Sequence, residues 1–191
     1  MNSMLRQVLA GARLLLVLTV VLGVGYPLAV YGVGRLVPDR ADGSLLRVDG
    51  QVVGSRLIGQ QVTGDQWFLP RPSAAGDGYD PLASGASNLG PNDPTLLATV
   101  TQRRQEVADR EGVDVSAVPA DAVTASGSGL DPDISPAYAR LQVARVARVR
   151  GLDPATVSAL VEAHVQGRDL GVLGDPHVNV LELNAALAGL G

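Results

Sequence analysis

Two serines in a glycine-rich segment are the first residues whose type and spacing could do chemistry. Ser126 and Ser128 lie two positions apart, and a serine in a sharp turn is the usual nucleophile of many serine hydrolases. Such an elbow needs one glycine two positions before the serine and another two positions after it, and neither serine has the first. The base would have to be His164 or His177, because the chain contains only 2 histidines. The pattern is incomplete, so a serine hydrolase stays an alternative.

Metal and nucleotide sites find little support in the residue pattern. The two histidines belong to no HExxH arrangement, and the chain has no EF-hand loop. All 15 basic residues are arginine, so the lysine of a phosphate-binding loop is missing. Residues 82–88 (LASGASN) superficially resemble the signature loop of ABC ATPases, but short strings of small residues recur by chance. We expect no metal site and no firmly bound cofactor.

Composition and charge exclude further classes. The formal net charge is −4 and the basic residues form no run, so nucleic acid is not the expected partner. With 0 cysteines, the chain has no disulfide framework, thiol nucleophile or cysteine metal site. Hydrophobic residues make up 46% of the chain, which is typical of a folded protein rather than a disordered one.

A long uncharged segment near the N-terminus predicts a membrane span. Residues 14–34 lie between Arg13 and Arg35 without a charge. At the rise of an α-helix they cover about 31 Å, which matches a bilayer core of about 30 Å. A cleaved signal peptide and a buried core helix are the alternatives, but the segment is long for the first and lacks a good cleavage site. We therefore expect a short N-terminal segment over residues 1–13, a transmembrane helix over 14–34 and a soluble domain over 35–191. A cytoplasmic N-terminus with an extracytoplasmic domain is one of the two orientations open to such a chain.

Arginine counts by themselves do not establish that orientation. Arg6 and Arg13 precede the span, whereas a larger set follows it within about 20 residues, the distance over which flanking charges act. That set is Arg35, Arg40, Arg47 and Arg56. The count leans against a cytoplasmic N-terminus, although a short N-terminus before the first hydrophobic segment is typical of a signal anchor that exports the downstream domain.

The residues after the membrane segment predict a domain of mixed helices and strands, and these elements would position any functional site. Residues 45–61 have the pattern of two or three short strands, and residues 69–94 contain five prolines and predict a long ordered loop. Asp-Pro or Ser-Pro pairs predict three helix starts, since the first residue caps and proline suits the first turn. The expected helices are 94–111, 136–150, 154–165 and 179–188. Residues 123–132 begin like a strand and end like a glycine-rich loop.

The predicted fold is an α/β (α+β) soluble domain with a small sheet and about four helices, preceded by one N-terminal transmembrane helix.

Several motifs, in order along the chain, resemble one known family. Residues 67–74 (WFLPRPSA) resemble the pattern F-x-x-R-P-S-A, and residues 84–91 (SGASNLGP) follow it, with Ala86 where the family often has glycine. The longest match is 119–136 (PADAVTASGSGLDPDISP). Further matching pieces are 54–60, Gln142, 145–147, Arg150, Gly151 and 178–184. The chain resembles, almost from end to end, the C subunits of the Kdp potassium-transporting ATPase, the KdpC family.

This resemblance implies membership of an ATP-driven, high-affinity potassium importer. The implied partners are a P-type ATPase subunit (KdpB-like) and a channel-like potassium subunit (KdpA-like), and the resemblance allows for a small single-span subunit (KdpF-like). The chain lacks the D-K-T-G-T phosphorylation motif, so it is expected to be no enzyme by itself. ATP would meet it only through the complex, and potassium is the transported ion. The resemblance also implies a cell-membrane location, with the N-terminus inside and the soluble domain outside the cytoplasm.

Two roles for such a subunit are implied by the resemblance. As a catalytic chaperone it would raise the ATP affinity of the pump subunit, with Ser84, Gly85, Ser87 and Asn88 as nucleotide contacts. As a stabilising cap it would cover the potassium entrance; this is physically preferable, because an exported domain cannot reach cytoplasmic ATP. Asp131 and Asp133 would then either concentrate cations or cap turns. The candidate partner contacts are Asn88, Gly90, Pro91, Ser126, Gly127, Ser128, Gly129, Asp131, Pro132, Ser135, Gln142 and Arg145.

Two other classes of function stay open. One is a membrane-anchored serine hydrolase that uses Ser128. The other is a free-standing extracytoplasmic binding module, which would be active without membrane partners.

Overall fold

The computed structural model describes residues 3–190 of the chain. It divides into two compact units, one up to Ser44 and one from Leu45 onwards. The division falls ten residues after the end of the predicted transmembrane helix at residue 34.

The first unit is dominated by one long apolar helix. Helix α1 (Ser3–Val20) continues through a π-helical turn (Val21–Gly25) into α2 (Tyr26–Gly34), and a short α3 (Pro38–Ala41) follows. In the π turn the Tyr26 N–H donates to the Val21 carbonyl, five residues back. Such a turn next to Pro27 fits the physics of helices, because proline offers no N–H and crowds the preceding turn.

The long helix has the length and composition of a membrane span. From Ser3 to Gly34 it covers 32 residues, with a mean hydropathy of 2.3 over its most apolar window and no buried side chain within the unit. The helix begins at Ser3, so most of the segment predicted as a separate cytoplasmic N-terminus is itself helical. Its leucines and valines need an apolar surrounding that water does not offer, and a bilayer supplies it.

The second unit contains two small sheets. Strands β1 (Leu45–Val48) and β2 (Gln51–Ser55) form an antiparallel hairpin. Asp49 and Gly50 both have positive φ in its turn (50° and 78°), as a tight two-residue hairpin requires. Strand β3 (Asp133–Ile134) pairs with β4 (Val178–Asn179), also antiparallel. The predicted strand that starts at residue 123 is wrong, because the 3₁₀ turns Val115–Ala117 and Ala120–Ala122 lead into an irregular loop there.

Four helices of the second unit confirm the predicted pattern. They are α4 (Pro94–Glu111), α5 (Pro136–Arg150), α6 (Pro154–Ala163) and α7 (Val180–Ala188). At the three proline starts, the preceding Asp93, Ser135 or Asp153 side chain accepts a backbone N–H of the first turn. Gly112 and Gly151 end α4 and α5 in the left-handed conformation.

The core forms around helix α5. Tyr138, Ala139, Val146 and Ala147 of this helix are buried. They belong to one apolar cluster with residues of α6, α7 and the loop before α4, namely Val157, Val161, Leu183, Leu187 and Phe68. Residues 56–93 form neither helix nor strand, so side-chain hydrogen bonds have to fix this long segment. The mixed α/β class predicted from the sequence is confirmed.

Candidate functional site

Two predicted site segments, residues 84–91 and 126–129, lie far apart in the chain and meet at the surface. The Gly85 N–H donates to the Ser128 carbonyl at 2.9 Å, and the Ser84 hydroxyl donates to the same carbonyl at 2.9 Å. We call residues 84–91 and 126–129 together the loop cluster. The fold thus brings most of the predicted contact residues into one patch.

Ser73 and Gly129 hold the loop cluster in place. The Ser73 hydroxyl donates to the Gly129 carbonyl at 2.6 Å and accepts the N–H groups of Ala75 and Tyr79. Gly129 has φ +67°, and a Cβ there would lie 2.6 Å from both Ala75 N and Gly85 O. Only glycine fits, because the backbone approaches too closely and the conformation is left-handed.

Most of the loop cluster faces solvent. Eight of its residues are exposed: Ser84, Ser87, Asn88, Leu89, Gly90, Pro91, Gly127 and Ser128. Gly85 and Ser126 are half-buried, and the buried Gly129 only positions the others. The patch is therefore an exposed surface of mostly small residues, with one larger apolar side chain, Leu89, on a fixed backbone.

Asp131 is neutralised within the chain rather than left free to attract cations. Its carboxylate pairs with Arg71 at 2.7 Å and accepts the Asp133 N–H at 3.0 Å. Arg71 also donates to the Thr124 carbonyl at 3.4 Å, and its own carbonyl accepts the Tyr79 hydroxyl. Of the two roles predicted for Asp131, the geometry favours fixing the turn.

Asp133 is likewise engaged within the chain. It accepts Asn179 Nδ2 at 3.1 Å and lies 3.9 Å from His177 Nε2. Burial raises the pKa of its carboxyl, partly offset by the nearby His177.

Pro132 and Ser135 anchor the chain that follows the loop cluster. The Pro132 carbonyl accepts the Val180 N–H at 3.0 Å. Ser135 caps helix α5 through Tyr138 N at 3.0 Å, and both its N–H and its hydroxyl donate to the Asp121 carboxylate, at 2.7 and 2.9 Å. These contacts order the backbone, and they leave the two residues little to offer to a partner.

Gln142 and Arg145 are interior residues, which corrects their prediction as partner contacts. Their exposed fractions are 0% and 1%. Arg145 Nε pairs with Glu111 at 2.9 Å, and its Nη atoms donate to the carbonyls of Asp65 and Trp67 and to Gln142 Oε1. A buried arginine needs this number of partners, because an unpaired charge in the interior is very costly.

The Arg145 network fixes the segment before the loop cluster. Gln142 accepts the Leu69 N–H at 2.7 Å and donates to the Leu69 carbonyl at 3.0 Å. Asn184 of α7 makes the same pair of bonds to Phe68, both at 2.9 Å. Burial raises the pKa of the Glu111 carboxyl, and the charge of Arg145 opposes that rise. Sequence reasoning missed Glu111, Asn184 and Ser73, because their roles arise from residues far away in the chain.

The serine-hydrolase alternative lacks its catalytic geometry. Ser126 Oγ and Ser128 Oγ lie 3.4 Å apart, and Ser128 Oγ accepts the Leu130 N–H. His164 Nδ1 lies 2.8 Å from the Leu160 carbonyl oxygen, and His177 Nδ1 lies 3.0 Å from that of Asp175. No hydrogen bond joins either serine to a histidine within residues 3–190, so no base is positioned to activate a nucleophile.

Neither a metal site nor a phosphate cradle is formed by the loop cluster. Over residues 3–190 no group of three or more His, Cys, Asp or Glu side chains could hold a metal ion. The Gly85 N–H, which a phosphate would need, is occupied by the Ser128 carbonyl. Residues 82–88 therefore resemble the ABC signature loop in sequence, but their Gly85 N–H is not free to bind a phosphate.

Comparisons with known proteins agree with the motifs. The family model described as "KdpC: K+-transporting ATPase, c chain" matches residues 8–189. A relative from Kineococcus radiotolerans, named potassium-transporting ATPase KdpC subunit, is 63% identical over 98% of this chain and 95% of its own length. Relatives with the same name from Gemmatimonas aurantiaca and Mycobacterium tuberculosis are 56% and 52% identical, over 91% and 96% of this chain and 87% and 98% of their own lengths. The family resemblance drawn from the sequence is confirmed: this chain belongs to the KdpC family, the C chains of the K⁺-transporting ATPase.

Proposed function

We propose that this chain is a non-catalytic accessory subunit of an ATP-driven potassium importer, which it assembles and stabilises from outside the cytoplasm. In this role the loop cluster docks on the outer face of the channel-like subunit, beside the potassium entrance. The observation that carries the proposal is the loop cluster itself, an exposed patch held by Gly129, Ser73 and the Arg71–Asp131 pair. Because the backbone of this surface is already ordered in the free chain, it loses little conformational entropy when a partner binds, which favours high affinity.

The apolar N-terminal helix would supply the second half of the attachment. Gly23 and Gly32 have no heavy atom within 4 Å of the place where a Cβ would be. Small residues at such positions let another membrane helix approach closely. The span would therefore join the helix bundle of its partners, while the domain from residue 45 onwards binds their outer surface.

Replacing Gly127 with arginine tests the docking surface. Gly127 is exposed and has open space at its Cβ position, so the variant should fold normally and clash only with a docked partner. We expect at least about a tenfold loss in recovery of a P-type ATPase and a channel-like subunit, because an unpaired charge in an interface costs several kcal/mol. The measurement is a mild-detergent pull-down of the tagged full-length chain from potassium-starved cells, followed by mass spectrometry and potassium-stimulated ATPase assay.

The matched control is Ala144→Arg, which adds the same side chain at an exposed position of α5 outside the loop cluster. It should leave recovery unchanged. Equal recovery with Gly127→Arg and wild type would contradict docking through the loop cluster. Recovery of the wild-type chain alone, with both partners expressed, would contradict the accessory-subunit role.

Cysteine labelling tests the proposed orientation. The chain has 0 cysteines, so a single one reports only its own position. We expect Ala159→Cys, exposed on α6, to react with a membrane-impermeant maleimide in intact spheroplasts, and Ser3→Cys to react only after permeabilisation. The reverse labelling pattern would place the domain in the cytoplasm, which is the orientation that the count of flanking arginines favours.

The catalytic-chaperone role gains no support from the loop cluster. Ser84 and Gly85 use their donors on Ser128, and the proposed orientation separates the domain from cytoplasmic ATP. If the chain nevertheless raises the ATP affinity of the pump subunit, the effect would have to pass through the membrane helices. A Gly127→Arg variant that assembles normally but loses ATP affinity would favour the chaperone role over capping.

A further inference from the structure

A second feature of the soluble unit, separate from the loop cluster, is an open polar cavity of about 310 Å³. It lies between the segment around residues 61–72, helix α4 and the start of α5. Its charged lining consists of three arginines and one glutamate: Arg71, Arg103, Arg110 and Glu106. Positive charge therefore prevails in this cavity, although the whole chain carries a net charge of −4.

The three arginines differ in the hydrogen bonds and ion pairs that they make within the chain. Arg71 is paired with Asp131 at 2.7 Å, and Arg103 donates to the Val123 carbonyl at 3.3 Å. Arg110 makes no hydrogen bond or ion pair with any residue in the described range 3–190. Glu106, one helical turn before it, accepts Gln102 Nε2 at 2.8 Å instead. Arg110 is an exposed residue whose charge also acts on the Glu111 carboxyl, and its guanidinium donors are open to a ligand at the cavity.

Two tyrosines line the same cavity, and only one of them has a partner for its hydroxyl. The Tyr79 hydroxyl donates to the Arg71 carbonyl. Tyr138 as a residue is 2% exposed, but its hydroxyl is not among the fully buried polar atoms that lack a hydrogen-bond partner within residues 3–190, which are Arg104 Nε and Arg150 Nη1. With no hydrogen bond inside the described part of the chain and some access to the cavity that Tyr138 lines, this hydroxyl is open to a ligand there.

The protonation state of Tyr138 makes it a donor. Burial raises its pKa to about 12, although the charge of Arg110 opposes the rise. At neutral pH the hydroxyl therefore keeps its proton. A guanidinium offers only donors and a protonated phenol can donate its O–H, so the two groups together suit an acceptor that carries negative charge.

We propose that this cavity binds the oxyanion of a small molecule, a phosphate or a carboxylate, with Arg110 and Tyr138 as its principal donors and Arg103 beside them. Apolar residues of the wall, Val62, Leu69 and Val107, leave room for a short organic body. The inference does not depend on the proposed assembly role, because none of these residues belongs to the loop cluster.

Isothermal titration of the full-length chain in mild detergent tests the site. The probes are sodium phosphate and sodium succinate, each at constant ionic strength set with sodium chloride. We expect saturable binding of at least one probe. Arg110→Gln should weaken it about tenfold or more and Tyr138→Phe about threefold, since charged hydrogen bonds contribute more than neutral ones. Tyr138→Phe keeps the buried ring, so the variant should fold.

The control is Arg148→Gln, which removes an exposed charge from α5 away from the cavity, and it should bind as wild type does. Binding of phosphate alone identifies a phosphate ligand, and binding of succinate alone identifies a carboxylate ligand; either supports the proposal. No saturable binding above chloride, or equal affinity in wild type, Arg110→Gln and Tyr138→Phe, overturns it. Equal weakening by Arg148→Gln also overturns it, because the effect would then reflect net charge.

Discussion

Replacing Arg145 with methionine should lower the free energy of unfolding by about 3–5 kcal/mol, because it leaves the Glu111 carboxylate buried without its partner. Methionine preserves most of the volume, so the loss reflects charge and hydrogen bonding rather than a cavity. The variant also removes the donors to the Asp65 and Trp67 carbonyls and to Gln142. The midpoint of thermal unfolding should fall by on the order of 10 °C for a domain of this size, measured on the full-length chain in detergent.

The exposed pair Arg140–Glu162 provides the control for Arg145. Its two side chains are about half exposed, and Arg140→Met should leave the midpoint nearly unchanged, since solvent screens such pairs. The double variant Glu111→Leu with Arg145→Met should recover part of the loss, because it removes the unpaired charge. An Arg145→Met variant as stable as wild type would contradict the assignment of this network as the internal framework.

Replacing Gly129 with alanine should cost about 2–4 kcal/mol, the second large effect. The new Cβ would lie 2.6 Å from Ala75 N and from Gly85 O, and the backbone has φ +67°. Both neighbours are backbone atoms, which cannot rotate away. Relief requires the two segments of the loop cluster to separate, which would break the Gly85–Ser128 hydrogen bond. We therefore expect a lower thermal midpoint and, in cells, poorer recovery of the partner subunits.

Gly127→Ala is the matched control, two positions away on the same loop. Its Cβ would meet no heavy atom within 4 Å, and its φ is not in the left-handed region. The free energy of unfolding should stay within about 0.5 kcal/mol of wild type. If Gly129→Ala and Gly127→Ala behave alike, the close approach at Gly129 does not hold the loop cluster together.

The two predictions connect the interior to the proposed docking surface. Arg145 and Gln142 fix residues 65–69, and the chain then passes through Arg71 and Ser73 to the loop cluster. A segment with no helix or strand of its own depends on such side-chain bonds for its shape. Damage to the framework should therefore reduce assembly even though Arg145 cannot touch a partner.

Local signals in the sequence determined the helices, the long apolar segment and the family. An Asp-Pro or Ser-Pro pair specifies a helix start within a few residues, and the structure begins α4, α5 and α6 at those prolines. The absence of charge over residues 14–34 likewise needs no tertiary information. The order of the motifs was enough to identify the KdpC family.

Only the tertiary structure decided which of the motif residues face outward. Gln142 and Arg145 belong to motif positions, yet they bind Leu69 and Trp67, more than 70 residues earlier in the chain. The meeting of Ser84 with Ser128, and of Arg110 with Tyr138 at one cavity, is likewise set by packing. Hydrogen-bond partners at such separations depend on how helices and loops pack, and the residue types alone do not encode whether a polar side chain serves the interior or a partner.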